Sequence, residues 1–347
     1  MKNDKRIVMT LDAGGTNFVF TAIRQGNELV EAITLPAVAD DLDRCLQTLV
    51  EGFRRVWQQL PEPPVAISFA FPGPADYEAG IIGDLPNFPA FRGGVPLGPF
   101  LQDQFGVPVF INNDGNLFAY GEAMMGILPE VNERLASIGS SKRYKNLLGI
   151  TLGTGFGAGV VINGDLLTGD NGCGGDVWCL RNKRYPQCIV EEGVSIRAVK
   201  RVYREQSGDS TLLTPKEICD IADGLRPGNQ LAAQTAFAEL GEIAGDALAS
   251  AITLVDGLIV IGGGVSGAYR HIVPAMLGEM RSQLGTFAGD RFNRLQMDIF
   301  DLEDEAEFVR FAQGSKRVGI ALSHQGTNRA IAMGAYMYAL NHLPEKL

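Results

Sequence analysis

The chain has 347 residues, 46% hydrophobic and 20% charged, a globular mixture that excludes a disordered or collagen-like chain and leaves room for two domains of ~100–200 residues. Thirty basic against 40 acidic residues give a net charge of −10, which argues against a face built for nucleic-acid phosphates. Two residue types are outliers: 43 glycines, and only three histidines, His271, His324 and His342, so a histidine base or a histidine-rich metal cage is disfavoured.

In chain order, Arg6–Leu11 is an apolar strand, DAGGTN (12–17) a polar glycine turn and FVFTAI a second strand. QGN is another turn and ELVEAITLP a third strand, so the segment reads as a three-stranded antiparallel meander. Leu42, Cys45, Leu46, Leu49, Phe53, Val56 and Leu60 recur at helical spacing, which predicts a helix over 41–60 with one buried face. VAISFAF (65–71) and PVFIN (108–112) are buried-type strands. The pattern then restarts: NLLGITLG (146–153), TGFG, AGVVIN, the hairpin signal Asn163-Gly164, and DLLTG. LIVIGGG (258–264) is a buried strand running into a glycine turn and a helix. A duplicated, mixed α/β chain is expected, with two sheets, a glycine turn on each and a cleft between the lobes. Residues 127–146 and 286–328 break the rhythm and read as insertions or oligomer contacts. The apolar run 330–343 is expected to pack as a helix on the first domain. The domains are then 1–113 with about 326–347, and 114–325.

Five cysteines, Cys45, Cys173, Cys179, Cys188 and Cys219, suit a reducing compartment better than a disulfide scaffold. The N-terminus shows no apolar signal core, and no apolar run reaches the ~18 residues of a membrane helix. A soluble, cytoplasmic protein is expected, without a nucleic-acid or membrane partner.

Several short motifs carry chemistry. In DAGGTN, Gly14 and Gly15 bare the backbone so that amides can approach phosphate oxygens. Thr16 and Asn17 add polar groups, and Asp12 at the strand end is placed to hold a hydrated Mg²⁺. GTGFGAG (153–159) is a second such turn, with Gly153 and Thr154 at its start. GGGVSG (262–267) can seat a ribose and α-phosphate, though it lacks the dinucleotide G-x-G-x-x-G spacing. In NNDGN (112–116), Asp114 is a candidate general base and Asn113 a hydroxyl ligand; the competing reading is an Asx turn that caps the following helix. Asn87, in LPNFPAF, could hydrogen-bond a polyol.

Taken together, DAGGT, PGPAD, PNF, NNDGNxxxxGE, TLGTGFGAGVVINGDLLTG, GxGGD and VIGGGVS resemble the ROK family of sugar kinases and repressors, in order, from about Ile7 to Leu340. The resemblance implies a two-domain actin-like/ribonuclease H-like fold with mixed five-stranded sheets. It also implies ATP- and Mg²⁺-dependent phosphorylation of a hexose hydroxyl, as in glucokinases or fructokinases at C6. By that likeness Gly14, Gly15, Thr16, Gly153 and Thr154 face phosphates, Gly263 and Gly264 lie near the adenosine, Asp114 is the base, and Asn87 and Asn113 hold sugar hydroxyls. A homodimer is also implied.

This chain departs from the family in its sugar loop. Where the family reads G-E-I-G-H, the chain reads Gly175-Asp176-Val177-Trp178-Cys179, so Asp176 replaces the sugar-binding Glu and Cys179 the sugar- and zinc-contacting His. Glu191 matches the family's second sugar-binding Glu when counted back from Ser195. Cys173, Cys179 and Cys188 supply at most three of the four ligands a structural zinc takes, so no zinc is expected and the three read as small buried thiols. The alternative function is a catalytically degenerate sugar-binding or regulatory member. Family repressors carry a DNA-reading helix-turn-helix of roughly 70–80 residues ahead of the sugar domain, and DAGGT at residue 12 leaves no room for one.

Overall fold

A computed structural model describes residues 4–343. The chain forms two compact units: residues up to Met125 with Thr168–Gly174 and Asn328 onward, and Gly126–Leu167 with Gly175–Thr327.

In the first unit, β1 (Val8–Ala13) and β2 (Asn17–Arg24) pair antiparallel from Val8↔Ile23 to Ala13↔Phe18. The predicted third strand is broken into β3 (Asn27–Glu28) and β4 (Ile33–Pro36), both paired with β2. The strand-like composition of 28–36 gave no sign of this break. Next, α1 (Leu42–Gln59) is capped by Asp41, whose side chain accepts from Arg44 N at 3.1 Å, and buries Cys45, Leu49, Phe53 and Val56 as the periodicity predicts. β5 (Ala66–Ala70) lies parallel to β1. A small hairpin, β6 (Ala75–Asp76) and β7 (Ile81–Ile82), leads to α2 (Leu97–Phe105). β8 (Val109–Asn112) lies parallel to β5 and closes the sheet order β3-β2-β1-β5-β8. Phe18, Phe53, Phe69, Phe71 and Phe88 are buried in the core of this unit, and their aromatic pairs each add about 0.5–1.5 kcal/mol beyond area burial. α3 (Asp114–Met125) follows.

In the second unit, α4 (Ile127–Ser137) precedes β9 (Leu147–Leu152), β10 (Phe156–Ile162) and β11 (Asp165–Leu166). Asn163 has φ +53° and Gly164 φ +93° at the hairpin tip, as an Asn-Gly turn requires. α5 (Ile196–Ser207), α6 (Pro215–Ala222) and α7 (Gln230–Val255) pack before β12 (Leu258–Gly262) and α8 (Tyr269–Met280). A hairpin of β13 (Gln283–Gly285) and β14 (Arg291–Asn293) leads to β15 (Asp298–Asp301), α9 (Glu305–Gln313) and β16 (Arg317–Leu322). The sheet order is β11-β10-β9-β12-β16-β15. β9 and β10 repeat the β1–β2 hairpin, and β12 lies parallel to β9 as β5 does to β1. The fold is the expected duplicated α/β architecture, with six strands in each sheet rather than five.

Two segments differ from the sequence reading. Residues 286–328 are not an insertion, because β16 is an interior strand of the second sheet, parallel to both β12 and β15. RVGIAL is buried on both faces, so it shows neither alternation nor a turn signal. Residues 127–146 are tied into the same unit: Tyr144 donates to Arg317 O at 2.8 Å and stacks on Phe311 at 5.5 Å.

α10 (Thr327–His342) returns the chain to the first unit. There it meets α3 at a glycine contact. A Cβ on Gly121 would sit 1.9 Å from Ala330 O, and one on Gly334 1.9 Å from Leu117 O. This close approach keeps α3 with the first unit, past the boundary at 113 read from the sequence.

Candidate functional site

The predicted residues fall into two sets, one on each unit. In the first unit, β1, β5 and β8 run parallel, so Asp12 and Asn112 sit at the same carboxyl edge of the sheet. One strand separates β1 from β8, or about 10 Å across the sheet at the usual strand spacing. In open α/β sheets this carboxyl edge is where ligands bind.

Asp12 is exposed at the end of β1 and accepts from Asn328 Nδ2 at 3.2 Å. Burial of its carboxyl group raises its pKa above the ordinary carboxylate value. In the turn that follows, Thr16 O accepts from Ala37 N at 2.9 Å, and Asn17 opens β2. A Cβ on Gly14 would lie 2.9 Å from Asn17 O, whereas one on Gly15 would meet nothing within 4 Å. The fold therefore does not demand the smallness of Gly15. It leaves a bare amide with open space beside it, which fits a phosphate.

Asn87 is exposed between buried Leu85 and Phe88. Phe88 stacks on Phe18 at 6.0 Å, which pins the Asn87 loop against the strand that leaves the glycine turn. At the end of β8, the sequence left open whether Asp114 is a base or a cap. Asn113 is the cap: its Oδ1 accepts from Asn116 N at 2.6 Å. That oxygen is committed, so Asn113 offers a sugar its amide N–H groups. Asp114 is the first residue of α3 and exposed; its Oδ1 accepts from Gly115 N at 2.8 Å. Its second oxygen has no partner among the described residues.

In the second unit, the turn after β9 is braced. Gly153 N donates to Gly155 O at 3.1 Å, and Gly153 O accepts from Ile196 N at 2.9 Å. Glu191 Oε2 accepts from Phe156 N at 3.0 Å, and Arg197 bonds Glu191 Oε1 at 2.9 Å, Glu192 Oε1 at 2.6 Å and Thr154 O at 3.2 Å. The hydrogen bond from Arg197 holds Glu192 below the ordinary carboxylate range. Glu191, expected only as a sugar ligand, is thus also the brace of the glycine turn. Thr154 is exposed at the tip.

Gly263 has φ +89°, and a Cβ there would lie 2.3 Å from Leu152 O. Its N–H donates to Thr327 Oγ1 at 2.7 Å, so the Gly263 amide is tied to the start of α10. Gly264 beside it has nothing within 4 Å of a Cβ. The helix expected next begins through a 3-10 turn, Ser266–Ala268.

Asp176 precedes a second 3-10 turn, Val177–Cys179, of which Cys179 is the last residue, and both are exposed. Cys179 Sγ donates to Asp176 O at 3.0 Å. The reading of Cys173, Cys179 and Cys188 as buried thiols is corrected: Cys173 and Cys179 are exposed, Cys188 is half-buried, and Cys45 is the buried one. Sequence reasoning missed Arg197 and Asn328, single polar residues with no motif around them. It also missed Cys219, Asp223 and His271, whose ligand atoms lie within 4.8 Å of one another. Asp223 already pairs with both Arg270 and His271.

Two mixed sheets, each opened by a hairpin with a polar glycine turn and extended by parallel strands, define a two-domain actin-like ATPase fold. Over residues 8–304 the chain matches the ROK family, and it belongs to that family. A crystal structure of glucokinase from Parabacteroides distasonis is 64% identical, with a TM-score of 0.92 and 99% of each chain covered. The glucokinase of Thermotoga maritima is 28% identical over 74% of this chain and 82% of its own length. The N-acetyl-D-glucosamine kinase of Haemophilus influenzae is 26% identical over 74% of this chain and 83% of its own length.

Proposed function

We propose that the chain is an ATP-dependent sugar kinase that transfers the γ-phosphoryl group of ATP to a hexose hydroxyl, at C6, with Asp114 as general base. The observation that carries this reading is the Asn113–Asp114 turn. A carboxylate stands at the carboxyl edge of the first sheet with one oxygen fixed by Gly115 N and the other available, on the same edge as Asp12. The 64% identical glucokinase supports it.

Asn87 and the Asn113 amide hold neighbouring hydroxyls and orient the acceptor oxygen. As that oxygen bonds to the γ-phosphorus, the bond from phosphorus to the β–γ bridging oxygen breaks, and the hydroxyl proton passes to Asp114. The bare amides at Gly14 and Gly15, with Thr16 and with Thr154 next to Gly153 on the second turn, take phosphate oxygens, and Gly264 leaves room for the nucleoside. The carboxylate of Asp12, partly withdrawn from solvent at its strand end, fits a hydrated Mg²⁺ held through water, which supplies charge neutralisation on the phosphates. Glu191, Asp176 and Cys179 line the sugar's anomeric side. The Glu-to-Asp and His-to-Cys changes leave a wider pocket and a relaxed sugar preference. We carry over a homodimer and a cytoplasmic location from the family.

In a coupled ADP assay with a hexose panel, Asp114→Asn lowers kcat by about 10²–10⁴-fold with a modest change in hexose KM. Full activity in that variant rules Asp114 out as the base. No ADP above background from the wild type with any hexose favours the sugar-binding, non-catalytic reading, which rests on Asp176 and Cys179.

A further inference from the structure

Three side chains of the second unit, none assigned above to sugar or nucleotide, stand together where two helices meet. Cys219 lies on α6, and Asp223, four residues on, follows its last turn, so the two project from the same side of the helix. His271 lies in the first turn of α8. One ligand atom from each falls within 4.8 Å of the other two, and all three residues are half-buried, sheltered from bulk solvent yet open to a small ion. Cys219 Sγ is 3.7 Å from Asp223 Oδ2, and His271 Nε2 is 2.6 Å from Asp223 Oδ1. The His271 ring stacks on Phe237 at 6.1 Å, which fixes its plane.

A thiolate, an imidazole and a carboxylate are donors that zinc takes together, whereas Mg²⁺ and Ca²⁺ take oxygen ligands. Around a tetrahedral Zn²⁺ with ordinary bond lengths, sulfur and oxygen stand about 3.6 Å apart and nitrogen and oxygen about 3.4 Å. The sulfur–oxygen pair already has that spacing. The nitrogen–oxygen pair is drawn in by its hydrogen bond and has to open by about 0.8 Å to reach it. The carboxylate already attracts a cation: Arg270 Nε donates to Oδ1 at 2.8 Å, and its guanidinium also pairs with Oδ2. The Arg270 side chain is 64% exposed, so it can turn out into water. A pair with so exposed a partner is a weak competitor for an ion that bonds a thiolate and an imidazole.

We propose that Cys219, Asp223 and His271 form a binding site for one Zn²⁺, with water in the fourth position, separate from Cys173, Cys179 and Cys188. On binding, a bond from Sγ to zinc replaces the S–H bond, whose proton passes to solvent. A carboxylate only accepts, so the metal-free imidazole carries its proton on Nε2. That proton moves to Nδ1, which has no partner among the described residues, as Nε2 takes the metal. Arg270 releases Asp223. The ion then ties α6 to α8, the helix that leaves the GGGVSG turn through Ser266–Ala268, and stabilises the second unit. The proposal is independent of the kinase reading.

The test is titration of the full, reduced chain with Co²⁺ as an optical probe, followed by Zn²⁺ as competitor. One Co²⁺ per chain is expected, with a thiolate-to-cobalt charge-transfer band that one equivalent of Zn²⁺ removes. Tm is expected to rise by about 5 °C with metal at a hundredfold excess over Kd. Cys219→Ser abolishes the band, His271→Gln weakens binding by about a hundredfold or more, and Cys173→Ser leaves both as in the wild type. Arg270→Ala removes the competing cation and tightens binding by about fivefold, a response that cobalt caught on an unrelated surface thiol does not show. Arg270 is exposed, so that variant carries the test if Cys219→Ser does not fold. No charge-transfer band at one equivalent, a band that survives Cys219→Ser, or an affinity in Arg270→Ala no tighter than wild type overturns the proposal.

Discussion

Glu191 gives the sharpest test, because the structure assigns it a task that the family resemblance did not. Replacing it with Ala removes the acceptor for Phe156 N, an amide on a fully buried residue. A hydrogen bond to a charged group contributes about 1.5–3 kcal/mol. The Arg197 pair adds at most about 1 kcal/mol, since the arginine side chain is 46% exposed and solvent screens it. Glu191→Ala therefore costs about 2–3 kcal/mol, or roughly 5–10 °C in Tm for a unit of this size. Glu191→Gln keeps an oxygen for Phe156 N and should recover most of that loss. Thermal unfolding of both variants, paired with KM for ATP and for hexose, separates the roles. Nucleotide KM should rise in Ala and return towards wild type in Gln, because it follows the glycine turn. Hexose KM should rise in both, because it follows the charge. An Ala variant that melts within about a degree of wild type refutes the brace.

Gly121 and Gly15 make a contrasting pair. Gly121→Ala drives a Cβ into Ala330 O across the α3–α10 contact and should cost about 3 kcal/mol, seen as a fall in Tm of roughly 6–12 °C; a wild-type Tm would mean the helices separate freely. Gly15→Ala meets open space and should leave Tm unchanged while raising nucleotide KM. Asp12 gives a pH signature. Its pKa is raised in the folded chain, so ionising it opposes folding: its contribution is most favourable below the unfolded carboxylate pKa and is lost as pH climbs through the raised value. Asp12→Asn should therefore melt higher than wild type at neutral pH, with the gap closing in acid, and should lose Mg²⁺-dependent turnover. A gap that does not change with pH would place the carboxylate in ordinary solvent.

The sequence announces some of this fold clearly and hides other parts of it for physical reasons. α1 is legible because one face is buried and the other wet, so Cys45, Leu49, Phe53 and Val56 beat at the helical period. β16 is not legible, because a strand buried on both faces has no alternation to read. The break between β3 and β4 leaves 28–36 strand-like in composition and shows only in the pairing with β2. At the site, glycines and strand-end carboxylates mark the turns. The partners that set their chemistry come from far along the chain: Asn328 reaches Asp12 from 316 residues away, and Glu191 reaches Phe156 from 35. Asn113 rather than Asp114 is the cap because α3 begins at Asp114, a boundary that residue order alone does not fix.

The duplication also explains why the two glycine turns are not interchangeable. Ala13↔Phe18 closes the first hairpin around four residues, whereas Leu152↔Phe156 closes the second around three. One residue back from each closing pair stands Asp12 in the first hairpin and Thr151 in the second. Only the first copy has a carboxylate there for a cation. The shorter second turn instead takes its order from outside, through Glu191 and Arg197. A strand hairpin that presents amides is thus specialised twice, once by a charged residue within the hairpin and once by a brace brought to it. Moving the charge by Thr151→Asp should not create a second Mg²⁺ site, because the turn beyond it is closed by Gly153 N donating to Gly155 O, which takes an amide that phosphates bridged by a hydrated ion would need. Mg²⁺ titration of that variant checks the point, and a gain of one tight site would show that the two turns are equivalent after all.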